Sequence, residues 1–214
     1  MNESGVVHSW RAVRRLFLNE VANKMNKIQL GPKTVLFPMP ALLVGSNVNG
    51  KPNFMTAAWG CIACNKPPMF AVALQTHRFT YRGIKETGVF SINVPSTLLA
   101  VETDYCGLLS GERKDKVAAC KFEVFYGLLK SAPLVGQCPI NFECKLAQTI
   151  HLGTHDLLIG EIMEVHASED CLSGGEPDGR KVDPLIYCTA GNKAYYSLGN
   201  NLGAAFSIGR GISE

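Results

Sequence analysis

The chain has 214 residues, 46% of them hydrophobic and 18% charged, which suits one substantial globular domain with a well-buried core. Its formal charge of +3 is small and spread along the chain, unlike the basic stripe of a nucleic-acid binder. No stretch approaches the ~18 uninterrupted apolar residues of a membrane helix.

Residues 10–28 place Val13, Leu16, Phe17, Val21 and Met25 at helical spacing. Arg11, Arg14 and Arg15 precede only Leu16-Phe17-Leu18, too short for the ~7–15 apolar residues of an export signal. Residues 1–24 therefore read as an N-terminal extension, disordered or a short helix, ahead of a domain over 25–214. Leu42–Ser46 is a short apolar strand, and the Asn49-Gly50 step suits a type I′ hairpin. The following segment, Asn53-Phe-Met-Thr-Ala-Ala-Trp59, is too polar for a plain core strand and too apolar for a loop. Ala57, Ala58 and Gly60 let something flat lie close to the backbone, Asn53 and Thr56 offer directed hydrogen bonds, and Trp59 offers a flat surface. That describes a slot for a planar polar ligand, closed by Lys66-Pro67-Pro68.

Met69–Gln75 and Val89–Val94 read as two further strands, with a helix of about two turns over Phe79–Glu86 ended by Thr87-Gly88. Ser96 is placed to cap a short helix reaching Val101, and Asp115 to cap another over Lys116–Cys120. Strand alternation returns over 142–150 and 157–165, with His151 to His155 between them. Residues 168–183 form a polar loop, and 185–189 a late strand. Many short strands with Gly and Pro turns point to a mainly β barrel or sandwich.

Several patterns carry chemistry. Cys61-Ile-Ala-Cys64 has the spacing of a thiol-redox pair or half a zinc site, but it lacks the helix start of the first and the second pair of the other. The eight cysteines read as free thiols. His151 and His155 flank a glycine in a loop, which disfavours a metal pair; His155 either touches a ligand or is simply solvated. Thr76-His-Arg-Phe-Thr80 joins a strand to a helix, where exposed amides, Arg78 and a threonine hydroxyl make a phosphate site. The plainer alternative is a surface arginine with Thr80 as N-cap. Leu109–Lys116 is a second polar turn, its lysines facing an anion or only water. No G-x-G-x-x-G or G-x-x-x-x-G-K-[ST] follows a strand, so neither a dinucleotide-binding nor a P-loop architecture is expected.

In order along the chain stand N-x-M-T-A-A-W (53–59), K-P-P-M (66–69), H-R-F-T (77–80), F-S-I-N-V-P (90–95), S-G…D-K (110–116), G-T-H-D-x-x-I-G-E (153–161) and A-F-S-I-G-R (205–210). This series resembles the flavin reductase-like family with the FMN-binding split-barrel fold, in particular its flavoredoxin branch. The resemblance implies a homodimer of six-stranded Greek-key barrels with short peripheral helices, each holding one FMN near the dimer interface. It implies that Asn53, Met55, Thr56, Ala57, Ala58, Trp59 and Cys61 border the flavin ring, with Lys66 beside them. Arg78, Phe79, Thr80 and Lys116 would hold the phosphate or ribityl chain, with Asn93 and Ser110 as further candidates. His155 would lie near the nicotinamide or the flavin face. Cys64 and Asn65 stand where many flavin reductases have Ser and Asp.

The function expected from that resemblance is cytoplasmic electron transfer, FMN taking electrons from NADH, NADPH or a protein donor and passing them on. Two alternatives are an NAD(P)H:flavin oxidoreductase releasing reduced FMN and a thiol-redox or zinc protein built on Cys61 and Cys64.

Overall fold

In the computed structural model, residue 17 and residues 27–212 apart from residue 190 are described. They divide into two units, one spanning Val35–Leu198 and the other made of the chain ends, up to Thr34 and from Gly199. In the second unit the described part contains a 3-10 turn over Ile208–Gly211. Most of the helix expected over 10–28, and the boundary at residue 24, lie outside the described residues.

The larger unit is built on an antiparallel sheet. Its strands are β2 (Leu42–Val48), β3 (Lys51–Ala57), β4 (Gly60–Cys64), β5 (Met69–Leu74), β6 (Val89–Val94), β9 (Ile140–His151) and β10 (Asp156–Ala167), in the spatial order β3-β2-β6-β9-β10-β5-β4. β1 (Met39–Pro40) pairs instead with β13 (Ile186–Cys188), which pairs with β14 (Ala194–Tyr196). Two small hairpins, β7 (Val124–Phe125) with β8 (Leu134–Val135) and β11 (Leu172–Ser173) with β12 (Glu176–Pro177), sit apart from it. Among the described residues of this unit, four short helices lie at the periphery: α1 (Phe79–Thr87), α2 (Ala100–Leu108), α3 (Lys116–Cys120) and α4 (Gly179–Val182). The fold is mainly β with short helices, as the sequence leads one to expect.

Period-two alternation explains why β2 and β3 are buried on both faces. Leu42, Val44, Met55 and Ala57 point into a core shared with Phe70, Val72, Leu74, Phe90, Ile92 and Leu158. Leu43 and Phe54, one residue out of phase, point the other way into a second cluster with Cys106, Phe122, Val135 and Cys138. The first cluster fills the inside of the curved sheet; the second lies under α2, α3 and the β7–β8 hairpin. Helix α1 packs on β2 so closely that a Cβ at Gly83 would come 2.3 Å from the Asn47 carbonyl.

The β2–β3 turn forms as expected, Asn49 and Gly50 both taking positive φ (51° and 75°). Asp115 caps α3, its carboxylate accepting from the Ala118 amide at 3.0 Å. Other boundaries shift. Ser96 starts only a 3-10 turn over Thr97–Leu99 without a side-chain cap, and α2 then continues to Leu108 rather than ending at Val101. Packing on β3 extends it, since the Thr56 hydroxyl donates to the Thr103 carbonyl of α2. The expected strands 142–150 and 157–165 are each twelve residues long, and bulges let that hairpin bend. Gly60–Cys64 is a strand paired with β5, one more than six in the main sheet.

Candidate functional site

Three segments converge at one end of β3. The first is β3 itself, whose outward residue Thr56 faces α2. The second is the turn from β5 into α1, where Arg78 occupies the N-cap position in extended conformation without any side-chain cap. Thr80 is therefore inside the helix and is not its cap. Its hydroxyl accepts a 2.6 Å hydrogen bond from the buried Asn53 amide. The third is the loop between α2 and α3, residues 109–115.

These segments enclose a cavity of about 210 Å³, lined by Met55, Thr56, His77 through Thr80, Cys106, Gly107, Leu109 through Arg113, and Lys116. Its charge is lopsided: Arg78, Arg113 and Lys116 face only one acid, Glu112. Helix α1 opens here with no acidic residue in its first turn, so uncapped amides and the positive dipole end add to the field. Arg78 donates through Nε to the Gln75 side chain at 3.1 Å, which fixes the guanidinium at the cavity mouth.

Lys116 is buried, and its Nζ donates to the carbonyls of Cys106 (3.0 Å) and Leu109 (3.1 Å). An ammonium has three protons, so one remains for a ligand. Burial lowers the Lys116 pKa, the Cys106 and Cys120 thiols oppose that, and Arg78 pushes it further down. Two cations this close, one desolvated, favour an anion between them.

A second hollow, of about 160 Å³, continues from the first through Met55, Thr56 and Arg78. It is lined further by Ala57, Ala58, Trp59, Ala73, Leu74, Gln75 and His155. Trp59 is held by its carbonyl, which accepts from the Ala73 amide at 2.8 Å. The His155 ring lies against the indole, centroids 4.7 Å apart and planes tilted by 36°. Thr154 holds His155 Nδ1 at 2.9 Å. The adjoining Asp156 is buried and ties the site's two ends together, its carboxylate meeting Tyr81 Oη of α1 at 2.5 Å and His151 Nδ1 at 2.8 Å.

Of the candidate residues read from sequence, Met55, Thr56, Ala57, Ala58, Trp59, Arg78, Phe79, Thr80, Ser110, Lys116 and His155 all line these two hollows. Asn53 stands behind them, against Thr80 and Gly111. Cys61 and Lys66 are exposed on β4 and the turn after it, and line neither hollow. Asn93 is buried in a separate network. It donates to the Leu43 carbonyl and Ser91 Oγ and accepts from the Val135 and Asn141 amides. Among the described residues no group of three metal-ligating side chains accompanies Cys61 and Cys64.

Sequence reading missed Gln75, Cys106, Gly107, Gly111 and Arg113. Gly111 carried a signal, a small residue in a polar turn: a Cβ there would lie 1.8 Å from Asn53 Oδ1. Gly111→Ala is accordingly expected to lower stability by ~1–3 kcal/mol through overpacking, read as a lower thermal unfolding midpoint.

The family described as flavin reductase like domain matches residues 34–196. The flavoredoxin from Methanosarcina acetivorans is 39% identical with a TM-score of 0.82, covering 86% of this chain and 98% of its own. The flavoredoxin of Desulfovibrio vulgaris (Miyazaki F) is 41% identical with a TM-score of 0.81, covering 86% of this chain and 100% of its own. The FMN reductase (NADH) RutF of Pseudomonas syringae pv. syringae is 25% identical over 126 residues, 58% of this chain and 67% of that protein.

Proposed function

The chain belongs to the flavin reductase-like family, and from that premise we propose that it is an FMN-binding oxidoreductase of the flavoredoxin kind, working in electron transfer. The observation that carries the reading is the continuity of the two hollows, cationic at the Arg78–Lys116 end and small-walled and aromatic at the Ala57–Trp59 end. The donor set fits FMN: an arginine, a partly spent ammonium and an uncapped helix start suit a phosphate, and the Ala-Ala-Trp wall suits a flat ring. FMN, when bound, supplies the electron chemistry.

The chain's own residues bind, orient and shield. Arg78, Lys116, Ser110 and the first amides of α1 hold the phosphate. The backbone of Thr56 to Trp59 would meet the ring, and the Trp59–His155 pair would close the outer side. Asn53 fixes Thr80 and the 109–115 loop, and Asp156 fixes α1 to the His155 turn. No side chain is required as general acid or base. The donor is NADH, NADPH or a redox protein; a reductase that releases reduced FMN is the second reading, favoured by the kinship with an NADH-dependent FMN reductase.

A homodimer is part of this proposal. Leu98, Val101 and Leu108 stand 90%, 77% and 73% exposed on and just before α2, whose end walls the cavity, an apolar face suited to a second copy. Sedimentation at micromolar concentration reads it: a single monomeric species removes the dimer. A cytoplasmic setting is proposed on the eight cysteines, all of them free. Among the described residues no helix is long and apolar enough to cross a membrane.

The test is an absorption spectrum of the purified protein, then anaerobic addition of NADH or NADPH. Bands near ~375 and ~450 nm are expected of a bound oxidised flavin. Bleaching by nucleotide identifies a reductase, and persistence of the bands a carrier fed by another protein. A colourless protein that takes up no added FMN overturns the reading. Arg78→Ala is expected to weaken FMN binding by ~1–3 kcal/mol, about 5- to 150-fold; an unchanged dissociation constant would remove Arg78 from the phosphate site.

A further inference from the structure

The sulfurs of Cys106 and Cys120 lie 4.0 Å apart, and nothing in the proposed function uses them as thiols. Cys106 sits on the last turn of α2 and Cys120 ends α3, so together they bracket the 109–115 loop that closes the cationic hollow. Cys106 is 1% exposed, while Cys120 is partly open to solvent. We propose that these two residues form a dithiol that a hydroperoxide converts to a disulfide, and that the disulfide locks the 109–115 loop over the anion end of the site.

The geometry is close to what a disulfide needs. Sulfurs bond at ~2.05 Å, so the pair, already 4.0 Å apart, must close by about 2 Å. Lys116 makes the pair a lever on the site, because its ammonium already ties the Cys106 and Leu109 carbonyls to α3. Burial raises both thiols, Cys106 to about 12 and Cys120 against the lowering pull of the Cys106 hydrogen bond and Lys116. Both therefore rest as thiols, and the reaction begins through the minor thiolate fraction of Cys120, the one a peroxide can reach. The Cys120 thiolate attacks the terminal peroxide oxygen; the O–O bond breaks, the alcohol or water leaves, and Cys120 becomes a sulfenic acid. Cys106 then loses its proton and attacks the Cys120 sulfur. The S–O bond breaks and the departing hydroxide takes that proton as water. Two thiols lose two electrons and one peroxide gains them.

The consequence for FMN rests on the flavin reading, whereas the linkage and the loop lock do not. The test treats the intact, flavin-loaded protein with hydrogen peroxide, alkylates it in denaturant and maps linked peptides by mass. A Cys106–Cys120 peptide that dithiothreitol abolishes is expected, and it should be missing from both Cys120→Ser and Cys120→Ala. Alkylation of both residues after peroxide, or linkage confined to other cysteines such as Cys61 and Cys64, overturns the proposal. The lock is read without flavin by tryptic cleavage at the exposed Arg113 and Lys114, expected to slow in the oxidised form. Equal cleavage of oxidised and reduced protein overturns the lock. With FMN bound, release should slow by roughly tenfold on oxidation, as when one loop-ordering cost is removed.

Discussion

Lys116→Met is expected to weaken FMN binding by about ten- to 150-fold while leaving the fold nearly intact. One charge-assisted hydrogen bond in a desolvated site is worth ~1.5–3 kcal/mol, which sets that range. Methionine keeps the length and apolar stem of lysine, so the packing around residue 116 survives. The carbonyls of Cys106 and Leu109 lose their donor, but the variant no longer has to bury a charge, and the two effects offset each other. A pH titration separates binding from folding. The folded-state pKa of Lys116 lies below its ordinary 10.5, chiefly through burial. Between the lowered value and 10.5 the unfolded chain holds more protons than the folded one, so this residue's contribution to ligand-free stability rises with pH across that window. FMN affinity runs the opposite way, falling as the ammonium is lost. The Cys106 thiol, pushed up to about 12, remains protonated there and does not mimic the effect. Fluorescence titration of flavin at rising pH should show affinity falling in the native protein, and a shallower fall in the methionine variant. Equal affinity and equal pH slope in the two proteins would confine Lys116 to holding the two carbonyls.

What sequence made legible is what short-range chemistry decides. The Asn49-Gly50 turn, the Asp115 cap and the strand-to-helix step at Arg78 each follow from residue types within four positions of one another. The small-walled hollow was visible for the same reason, since Ala57, Ala58 and Trp59 are consecutive. Contacts between distant segments were not visible. Gln75 steers Arg78, Asn53 meets Thr80 across 27 residues, and His155 reaches Trp59 only because β10 pairs with β5 and β5 with β4. The length of α2 likewise depends on Thr56 and Thr103, which lie 47 residues apart. Asn93 shows the converse: its polar side chain in an apolar strand has the look of a ligand contact, yet all four of its hydrogen-bonding positions are met within the protein.

Glu143 is a fully buried acid of the main sheet, and Glu143→Ala is expected to cost ~2–4 kcal/mol, given three charge-assisted hydrogen bonds lost and a cavity left behind. It stands near the start of β9 with its side chain fully buried. Its carboxylate accepts from the Leu128 amide at 2.9 Å, from the Leu129 amide, and from His166 Nε2 at 2.7 Å. Gly127 rests directly on the pair, a Cβ there falling 2.0 Å from Glu143 Oε1. The carboxylate thus anchors the connection between β7 and β8, and with it the lid of the second core cluster under α2 and α3. Burial alone would raise the Glu143 pKa, but His166 and the Leu129 and Leu128 amides more than offset it and hold it below the usual value of 4.5. A carboxylate so depressed adds stability above the unfolded-state value, and that stability is lost as pH falls through the folded one. The native protein should therefore lose part of its stability in acid, below about pH 4.5, and the alanine variant should lose less over the same interval. Thermal unfolding at neutral pH is expected to show a drop of roughly 5–15 °C for the variant, from ~2–4 °C per kcal/mol at this chain length. Glu143→Gln, which keeps the shape and one acceptor, should fall in between. Equal midpoints for the native and alanine proteins would mean that water replaces the carboxylate at no cost, and the β7–β8 connection would then owe its position to packing alone.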